Sequence, residues 1–440
     1  MTALFKKILK KFLPERAILF YHRALANLAA AYYRFPSDKM IVIGVTGTKG
    51  KTSTANYIWS VLNSAGERAA MISTANIIIG DNEELNKFHM TMPGRFALQK
   101  LISRAKSAGC KWCIIETTSE GIKQSRHIGI NYDIVVLTNL TPEHLASHEN
   151  SFEKYRDMKA VIFGNLHKSK RKMIGGKKIP KVIFANADCP HASFFLNFQA
   201  DIKKTFGLNE SSDYRATIKH ANPETTVFEV NGLSYEIKIP GTFNVYNALP
   251  AVAIADIFNF PLNDVARGVA GISTIPGRME KIEEGQSFTV LVDYAHEKTS
   301  MAVALDTARG LTKDNGKVIV LLGAEGGGRD TNKRAEMGSI AAEKADYIVV
   351  SNVDPYEDDP LVIADDIARS AEQRGSMRGE NLFVILDREK GIQKAISLAK
   401  PNDVVILTGK GAEQSITVGG VTTKWDDRDV VRNILKRSGD

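Results

Sequence analysis

The chain has 440 residues, with 58 Lys+Arg against 50 Asp+Glu, a formal net charge of +8 and 43% hydrophobic residues. That composition excludes a collagen-like, disordered or multi-span membrane chain, and the length fits two or three domains, each able to bury a core. Three cysteines are too few for a disulfide framework and suit a reducing compartment.

The charge is uneven. Residues 1–39 hold eight basic side chains (Lys6, Lys7, Lys10, Lys11, Arg16, Arg23, Arg34, Lys39) against Glu15 and Asp38, which leaves the remaining chain nearly neutral. A neutral body argues against nucleic acid as a partner. Ala3 to Leu13 reads as an amphipathic helix, with Leu4, Phe5, Ile8, Leu9, Phe12 and Leu13 opposite the four lysines. Pro14 ends it, and an Ala-rich helix follows from about Glu15 to Tyr33. Neither stretch is fit to span a bilayer or serve as a signal peptide. Two readings stay open for the first: an anchor lying in a membrane interface, or a helix packed on the protein body.

A β-branched run, Ile41 to Val45, enters the Gly-rich turn Gly47-Thr-Lys-Gly50, and a helical stretch opens at Lys51. Strand, loop and helix in this order form a P-loop, in which backbone N–H groups cradle phosphate oxygens. Lys51 would reach the terminal phosphates, and the Thr52 hydroxyl would help to hold Mg²⁺. Gly47, Thr48, Lys49, Gly50 and Ser53 complete the expected ATP contacts. The strict spacing would place glycine at position 45, which is Val45; the glycines here are Gly44, Gly47 and Gly50.

Gly44-Val-Thr-Gly-Thr-Lys-Gly-Lys-Thr52 resembles the loop of the Mur ligase superfamily, and the resemblance continues along the chain from Met40 onward. The family joins a carboxylate to an amine through an acyl phosphate. It implies an α/β fold: a P-loop central domain with a parallel sheet plus a small antiparallel sheet, followed by a Rossmann-like C-terminal α/β domain. The expected divisions are 1–38, 39–274 and 275–440.

Trp112 to Glu116 reads as a second buried strand, and Tyr132 to Leu140 as a third. The resemblance assigns Mg²⁺ binding to Glu116 and to His144, within Thr141-Pro-Glu-His-Leu. It matches Lys159 to the lysine that is carbamylated in many members. The cofactors so implied are ATP and Mg²⁺, as two ions. The family's Ser-Ser-His after the glutamate reads Thr118-Ser-Glu120 here. Thr91, in Met90-Thr-Met-Pro-Gly94, matches an acceptor-side loop. A lone Cys110-Lys-Trp-Cys113 reads as packing, not as a zinc or redox site.

Short β-type runs between residues 160 and 240 suggest a subsidiary antiparallel sheet. Asn244-Val-Tyr-Asn247 looks like the family's Asn-x-x-Asn helix, which assigns Asn247 to the adenine or ribose side. Strands then alternate with helices from Phe288 to Thr408, a second α/β unit. Ordered motifs here match the branch that makes muramyl tripeptides. By that match Arg278 lies near the γ-phosphate, Asp293 and His296 at the domain seam, and Lys410 and Glu413 on the substrate side. Asp426-Asp-Arg-Asp429 closes the chain as in that branch.

Tyr356, in Asn352-Val-Asp-Pro-Tyr356, stands where diaminopimelate-adding members place an arginine that grips a distal carboxylate. Its loss argues against that amino acid. The local acidity of Asp354, Glu357, Asp358 and Asp359 suggests a cationic side chain such as lysine. Only 39 residues precede the first central strand, too few for the nucleotide-sugar domain of conventional muramyl ligases. The expectations are a lipid-linked acceptor with peripheral membrane contact through the basic leader, or a partner protein that supplies acceptor recognition. The expected location is cytoplasmic, at the inner face of the membrane. Alternatives are a folylpolyglutamate- or cyanophycin-synthetase-like peptide ligase, and a non-catalytic nucleotide-binding scaffold.

Overall fold

The computed structural model describes residues 15–88, 90–143, 145–328 and 330–439. The amphipathic stretch expected over residues 3–13 lies outside them. The first described helix, α1 (Glu15–Tyr32), buries Ala26, Ala29 and Ala30 and leaves Phe20, Leu28 and Tyr32 exposed. A 3₁₀ turn at Pro36–Lys39 leads into the sheet.

Eleven strands build the central sheet: β1 (Ile41–Thr46), β2 (Ala69–Ile72), β3 (Asn76–Ile79), β4 (Asn82–Leu85), β5 (Trp112–Glu116), β6 (Ile134–Leu137), β7 (Val182–Asn186), β8 (Ile202–Gly207), β9 (Tyr214–Ala221), β10 (Thr226–Val230) and β11 (Leu233–Ile237). Their spatial order is β11-β10-β9-β8-β7-β6-β1-β5-β2-β3-β4. The middle six, from β8 to β2, are parallel, and all but β8 read as largely apolar, fully buried runs because helices cover both faces. The β-rich segment between residues 160 and 240 supplies the antiparallel strands β9–β11. They join the central sheet through a short parallel pairing of Phe206 and Gly207 with Tyr214 and Arg215.

Register decides what this sheet presents. Val45 pairs with Glu116, and Thr46 with Leu137, so the C-terminal ends of β5, β1 and β6 finish level with one another. Helix α2 (Lys51–Ser64) leaves that edge and packs on α5 (Asn244–Ile257) and α6 (Leu262–Ala270). On the opposite face lie α3 (Arg95–Ser107) and α4 (Phe152–Leu166).

The second sheet comprises β12 (Glu280–Ile282), β13 (Thr289–Val292), β14 (Val318–Leu322), β15 (Tyr347–Val350), β16 (Leu382–Val384) and β17 (Val404–Leu407). Its order is β12-β13-β17-β14-β15-β16, parallel except for β12. The doubly wound order carries α7 (Lys298–Leu311), α8 (Asn332–Lys344), α9 (Pro360–Glu372), α10 (Arg388–Leu398) and α11 (Asp427–Gly439). Arg388 ties α10 to α11 through a buried two-point pair with Asp427, at 2.8 and 2.6 Å. All three cysteines are free and buried, and burial pushes the Cys113 thiol up to about 12, which suits packing and not catalysis. Among the described residues, no helix is long and apolar enough to cross a membrane.

Candidate active site

The loop between β1 and α2 is held by its neighbours before any ligand arrives. Gly47 and Gly50 have φ of 146° and 78°, which L side chains rarely adopt. A Cβ on Gly50 would sit 2.3 Å from Asn247 Oδ1, and one on Gly47 would sit 2.0 Å from Thr138 Oγ1. Thr48 N–H donates to Asn139 O (3.0 Å), and Lys49 N–H to Asn139 Oδ1 (2.9 Å). Thr48 Oγ1 lies 3.1 Å from the Tyr155 hydroxyl on α4.

At the top of β5, Glu116 is buried. Its Oε2 accepts from Thr52 Oγ1 (2.9 Å) and from Thr74 N–H (2.8 Å). Thr91 Oγ1 lies 2.8 Å from Thr74 Oγ1, so the Met90–Gly94 loop is one residue removed from this carboxylate. Lys51 Nζ donates to Thr48 O (2.8 Å), and Lys159 Nζ to Gly47 O (2.8 Å). Burial pushes both amines down, Lys159 well below the ordinary lysine value. Glu116 and Glu143 oppose that shift in each case, and for Lys159 the charge of Lys51 adds to it. Two desolvated amines thus point into one loop with carbonyls as their hydrogen-bond acceptors.

The second sheet reaches the same place. Arg278, just before β12, donates to Thr52 Oγ1 (3.1 Å) and stacks over the Tyr294 ring at 4.4 Å. Asp293, at the end of β13, is bonded by the N–H groups of Met279 and Ala295 (both 2.8 Å), and burial raises its pKa. His296 Nδ1 lies 2.7 Å from Tyr294 O, the geometry of an N–H donated to a carbonyl. Asn247 donates to Asn244 Oδ1 (2.9 Å), and Asn244 to Pro240 O (2.9 Å), so this pair is braced under the loop. Ser53 is buried in the first turn of α2.

The site residues assembled in one place are therefore Gly47 to Ser53, Glu116, Lys159, Asn247, Arg278 and Thr91. His144 lies outside the described residues. Its neighbour Glu143 takes the Lys49 ammonium at 2.6 Å, and it groups with His296 and Glu297 so that one ligand atom of each lies within 4.8 Å of the others. Sequence reasoning did not single out Glu143 or Glu297. The signal for Glu143 was present, since it directly precedes His144, whereas Glu297 is brought in only by folding. His148 is buried, with Nε2 3.1 Å from Ser119 Oγ in the segment after Glu116.

Lys410, Glu413 and Asp354 form a separate cluster at the upper edge of the second sheet. Fully buried Lys410 donates to Asp354 Oδ2 (2.7 Å) and Glu413 Oε2 (2.6 Å). Asp354 Oδ1 accepts from Thr417 N–H (2.7 Å). Asp358 accepts from Gly327 N–H (3.0 Å), and Asp359 caps α9 through Leu361 N–H (2.8 Å). Of the acidity expected to attract a cationic substrate, Asp354 is thus buried and paired inside the protein, whereas Glu357, Asp358 and Asp359 stay exposed. Tyr356 sits at φ 56° with its ring against Gly327. The Tyr294 hydroxyl, 3.4 Å from Glu413, links this cluster to Arg278.

No cofactor need be assumed to see what the donor set fits. A helix N-terminus, two buried amines and a guanidinium match a polyphosphate, and the hydroxyl–carboxylate pair of Thr52 and Glu116 matches a hard divalent cation.

Comparison with known proteins agrees over most of the chain. The Mur ligase middle domain matches residues 45–255, and the glutamate ligase domain of Mur ligases matches 277–411. A UDP-N-acetylmuramoyl-L-alanyl-D-glutamate–2,6-diaminopimelate ligase of Geobacillus thermodenitrificans is 36% identical over 424 residues, covering 94% of this chain and 82% of that protein. A UDP-N-acetylmuramyl-tripeptide synthetase of a Roseiflexus species is 35% identical with the same coverage. Among solved structures, a UDP-N-acetylmuramoyl-L-alanyl-D-glutamate–2,6-diaminopimelate ligase superposes with TM-score 0.60 at 26% identity, covering 91% of this chain and 79% of that one. Folylpolyglutamate synthase of Mycobacterium tuberculosis shares the fold at TM-score 0.65 and 17% identity, covering 90% and 96%.

Proposed function

The chain belongs to the Mur ligase family and is an ATP-dependent carboxylate–amine ligase; from that premise we propose that it adds an amino acid to the free carboxylate of a muramyl-peptide acceptor, in peptidoglycan precursor synthesis. The observation that carries the proposal is the meeting of Arg278 with Thr52 and Glu116, which brings the second sheet onto the phosphate loop. In this reading the γ-phosphate lies among Lys51, Arg278 and the N–H groups of the loop. These groups stabilise charge as the acceptor carboxylate attacks and ADP leaves. Asn247 takes the nucleoside side, and Asp293 and His296 line the seam. Thr91 holds the acceptor.

Thr52 and Glu116 suit one Mg²⁺; His144, together with Lys159 in carbamylated form, suits a second. Bound there, the ions would neutralise the phosphates during transfer. The depressed basicity of Lys159 supports the carbamate, because only a neutral amine reacts with CO₂. The amine of the amino acid then attacks the acyl phosphate carbonyl, so that the amide forms, the C–O bond to phosphate breaks, and inorganic phosphate and the amine proton leave. The amino-acid side chain meets Tyr356, so a substrate without a distal carboxylate is the reading we favour. The divisions 1–38, 39–274 and 275–440 fit the two sheets and the leading helix.

The test is amino-acid-dependent ADP release, crossing lysine, diaminopimelate and neutral amino acids with UDP-linked and lipid-linked muramyl dipeptides. Release with one pairing, abolished by Lys51→Met, is the expected result. Nucleotide binding without turnover on any pairing would favour a scaffold instead. For location, the reading is a cytoplasmic enzyme touching the inner membrane face through its basic leader. Flotation of the intact chain on anionic vesicles, lost on replacing Lys6, Lys7, Lys10 and Lys11 by Glu, checks that part.

A further inference from the structure

A helix on the surface of a folded protein ordinarily turns its large apolar side chains inward and its polar ones to water. Helix α1 does the reverse. It buries the small residues Ala26, Ala29 and Ala30 and carries its large apolar side chains outside. Phe20, Ala24, Leu28 and Tyr32 follow at four-residue steps and so form one row along the helix, with Tyr21 beside its start. Phe20 is 74% exposed, Leu28 58% and Tyr32 72%. Arg23 and Asn27, both exposed, edge the row. A contiguous apolar strip on the outside of a protein marks a surface that meets a partner.

At its C-terminal end the row meets helix α3. The Tyr32 ring lies 6.3 Å from the ring of exposed Phe96 and 5.0 Å from that of Tyr33. On α3 the four-residue step runs Phe96, Lys100, Arg104, and so passes from apolar to cationic along one side of the helix. Beside it opens a hollow of about 470 Å³, lined by Tyr33, Asn82, Lys100, Ser103, Arg104 and Ser107. Hydroxyls and two cations in one concavity suit a phosphate group. The acids of the adjoining hairpin have partners of their own: Asp81 with Arg68 at 3.1 Å, Glu83 with the Asn76 amide at 2.6 Å, and Glu84 with Arg104 at 3.4 Å. The last pair is exposed on both sides and therefore weak. Lys100 has no ion pair among the described residues.

We propose that the outer face of α1 and α3 is a membrane-docking surface: the α1 row lies in the interface of an anionic bilayer, and the hollow beside Lys100 and Arg104 takes the phosphate of a lipid headgroup. Apolar side chains flanked by cations match the layering of such a bilayer, acyl chains below and negative headgroups above. Tyr21 and Tyr32, apolar rings with a polar tip, suit the boundary between the two. Charge and continuity favour a lipid surface over a protein one, because Lys6, Lys7, Lys10 and Lys11 directly precede α1 in the chain. The inference rests on the membrane contact given under the proposed function and extends it from the leader to the folded body. The Met90–Gly94 loop runs straight into α3, so docking by this face brings Thr91 toward the lipid.

The experiment is co-sedimentation of the full chain with vesicles of phosphatidylcholine, alone or mixed equally with phosphatidylglycerol. A row variant (Phe20→Ser, Leu28→Ser and Tyr32→Ser together), a hollow variant (Lys100→Glu with Arg104→Glu) and a leader variant (Lys6, Lys7, Lys10 and Lys11 to Glu) are compared with the wild type. The expected result is binding to mixed vesicles weakened about tenfold in the row variant and about tenfold in the hollow variant, with the Tm of both unchanged and no effect of the hollow variant on phosphatidylcholine alone. Loss in the row variant but not the hollow variant upholds the surface and overturns the headgroup site. Row and hollow variants that both bind like the wild type overturn the proposal, and loss in the leader variant alone then leaves the leader reading standing. Loss in the row and hollow variants with the leader variant still bound does the opposite. A wild type that binds neither vesicle overturns both. A wild-type dimer that the row variant breaks, with vesicle binding unchanged, shows the strip to be a contact between copies and overturns the proposal. Should the row variant fail to fold, a nitrobenzoxadiazole label on Leu28→Cys decides, since the three native cysteines are buried. Its emission shifts to the blue on mixed vesicles, whereas the same label on Lys313→Cys in the second α/β unit does not; no shift at residue 28 overturns the surface.

Discussion

The two ends of the central sheet each hold a pair of lysines, buried except for the half-buried Lys51, and use them in opposite ways. At the C-terminal end, Lys51 and Lys159 donate to backbone carbonyls of the phosphate loop. At the other end, where β6 begins, Lys172 and Lys181 close on Asp133, which is wholly buried between them. Lys181 also donates to Tyr132 O (2.7 Å) and Lys170 O (3.0 Å), and Lys172 to Met40 O (2.8 Å). Asp133 in turn accepts from Val42 N–H at 2.9 Å. Burial lowers the basicity of all four lysines, and at the Asp133 end a bonded carboxylate opposes that shift. One end is a closed knot between strands; at the other, the amines face the phosphate loop with carbonyls as their bonded partners.

The largest effect is expected at the knot. Asp133→Asn leaves two cations buried without a counter-charge, and should cost roughly 3–5 kcal/mol in urea unfolding. Adding Lys172→Met to that variant should recover part of the loss, because one of the stranded charges goes. A loss below about 1 kcal/mol would mean that the carbonyls alone hold these lysines, and the contrast would collapse.

Next comes the opposite end. Lys51→Met should lower kcat for ADP release by about 10²–10³-fold, the scale for removing a group aimed at developing charge. The Tm should hold or rise, since a desolvated cation has been removed. A large fall in Tm would show Lys51 to be structural, like Lys181. Arg278→Gln follows. A hydrogen bond to a charged group contributes about 1.5–3 kcal/mol, so kcat/KM should drop roughly ten- to a hundredfold while urea unfolding stays near wild type.

How much of this contrast is visible without coordinates follows from where the partners sit. The phosphate loop is legible because strand, glycines, Lys51 and Thr52 are contiguous, and Glu116 is found by being the last residue of a strand in a parallel sheet. Lys159 needed the family resemblance, since its helix shows only one more lysine. The knot is illegible. Lys172 lies in a run with Lys168, Lys170 and Arg171 that has the composition of a solvated loop, yet Lys170 is mostly exposed and Lys172 is buried. Nothing local distinguishes them; the carboxylate that does so is 39 residues away. The same limit explains the acidic run at Asp354 to Asp359. Its charge is visible in the sequence, but not that Lys410 and Thr417 take Asp354 into the interior while Glu357, Asp358 and Asp359 stay exposed, a division set by tertiary structure.

The smallest effect tests whether Lys159 is held without its proton. A lysine whose folded pKa lies below its unfolded value binds fewer protons folded than unfolded. Stability therefore rises with pH from the folded pKa up to about 10.5, and is lost as pH falls through the folded pKa. The slope contributed by one such group is at most about 1.4 kcal/mol per pH unit. In bicarbonate-free buffer, Lys159→Met should remove this contribution and flatten the rise in unfolding free energy between neutral and alkaline pH. Lys172→Met should flatten it less, because Asp133 returns part of what burial takes away. Restoring bicarbonate should then raise the stability of the wild type but not of Lys159→Met, since a carbamate requires the free amine. Identical slopes in the wild type and Lys159→Met would mean that Lys159 keeps its proton at neutral pH, and that carbonyls suffice to hold a charged lysine at this end of the sheet.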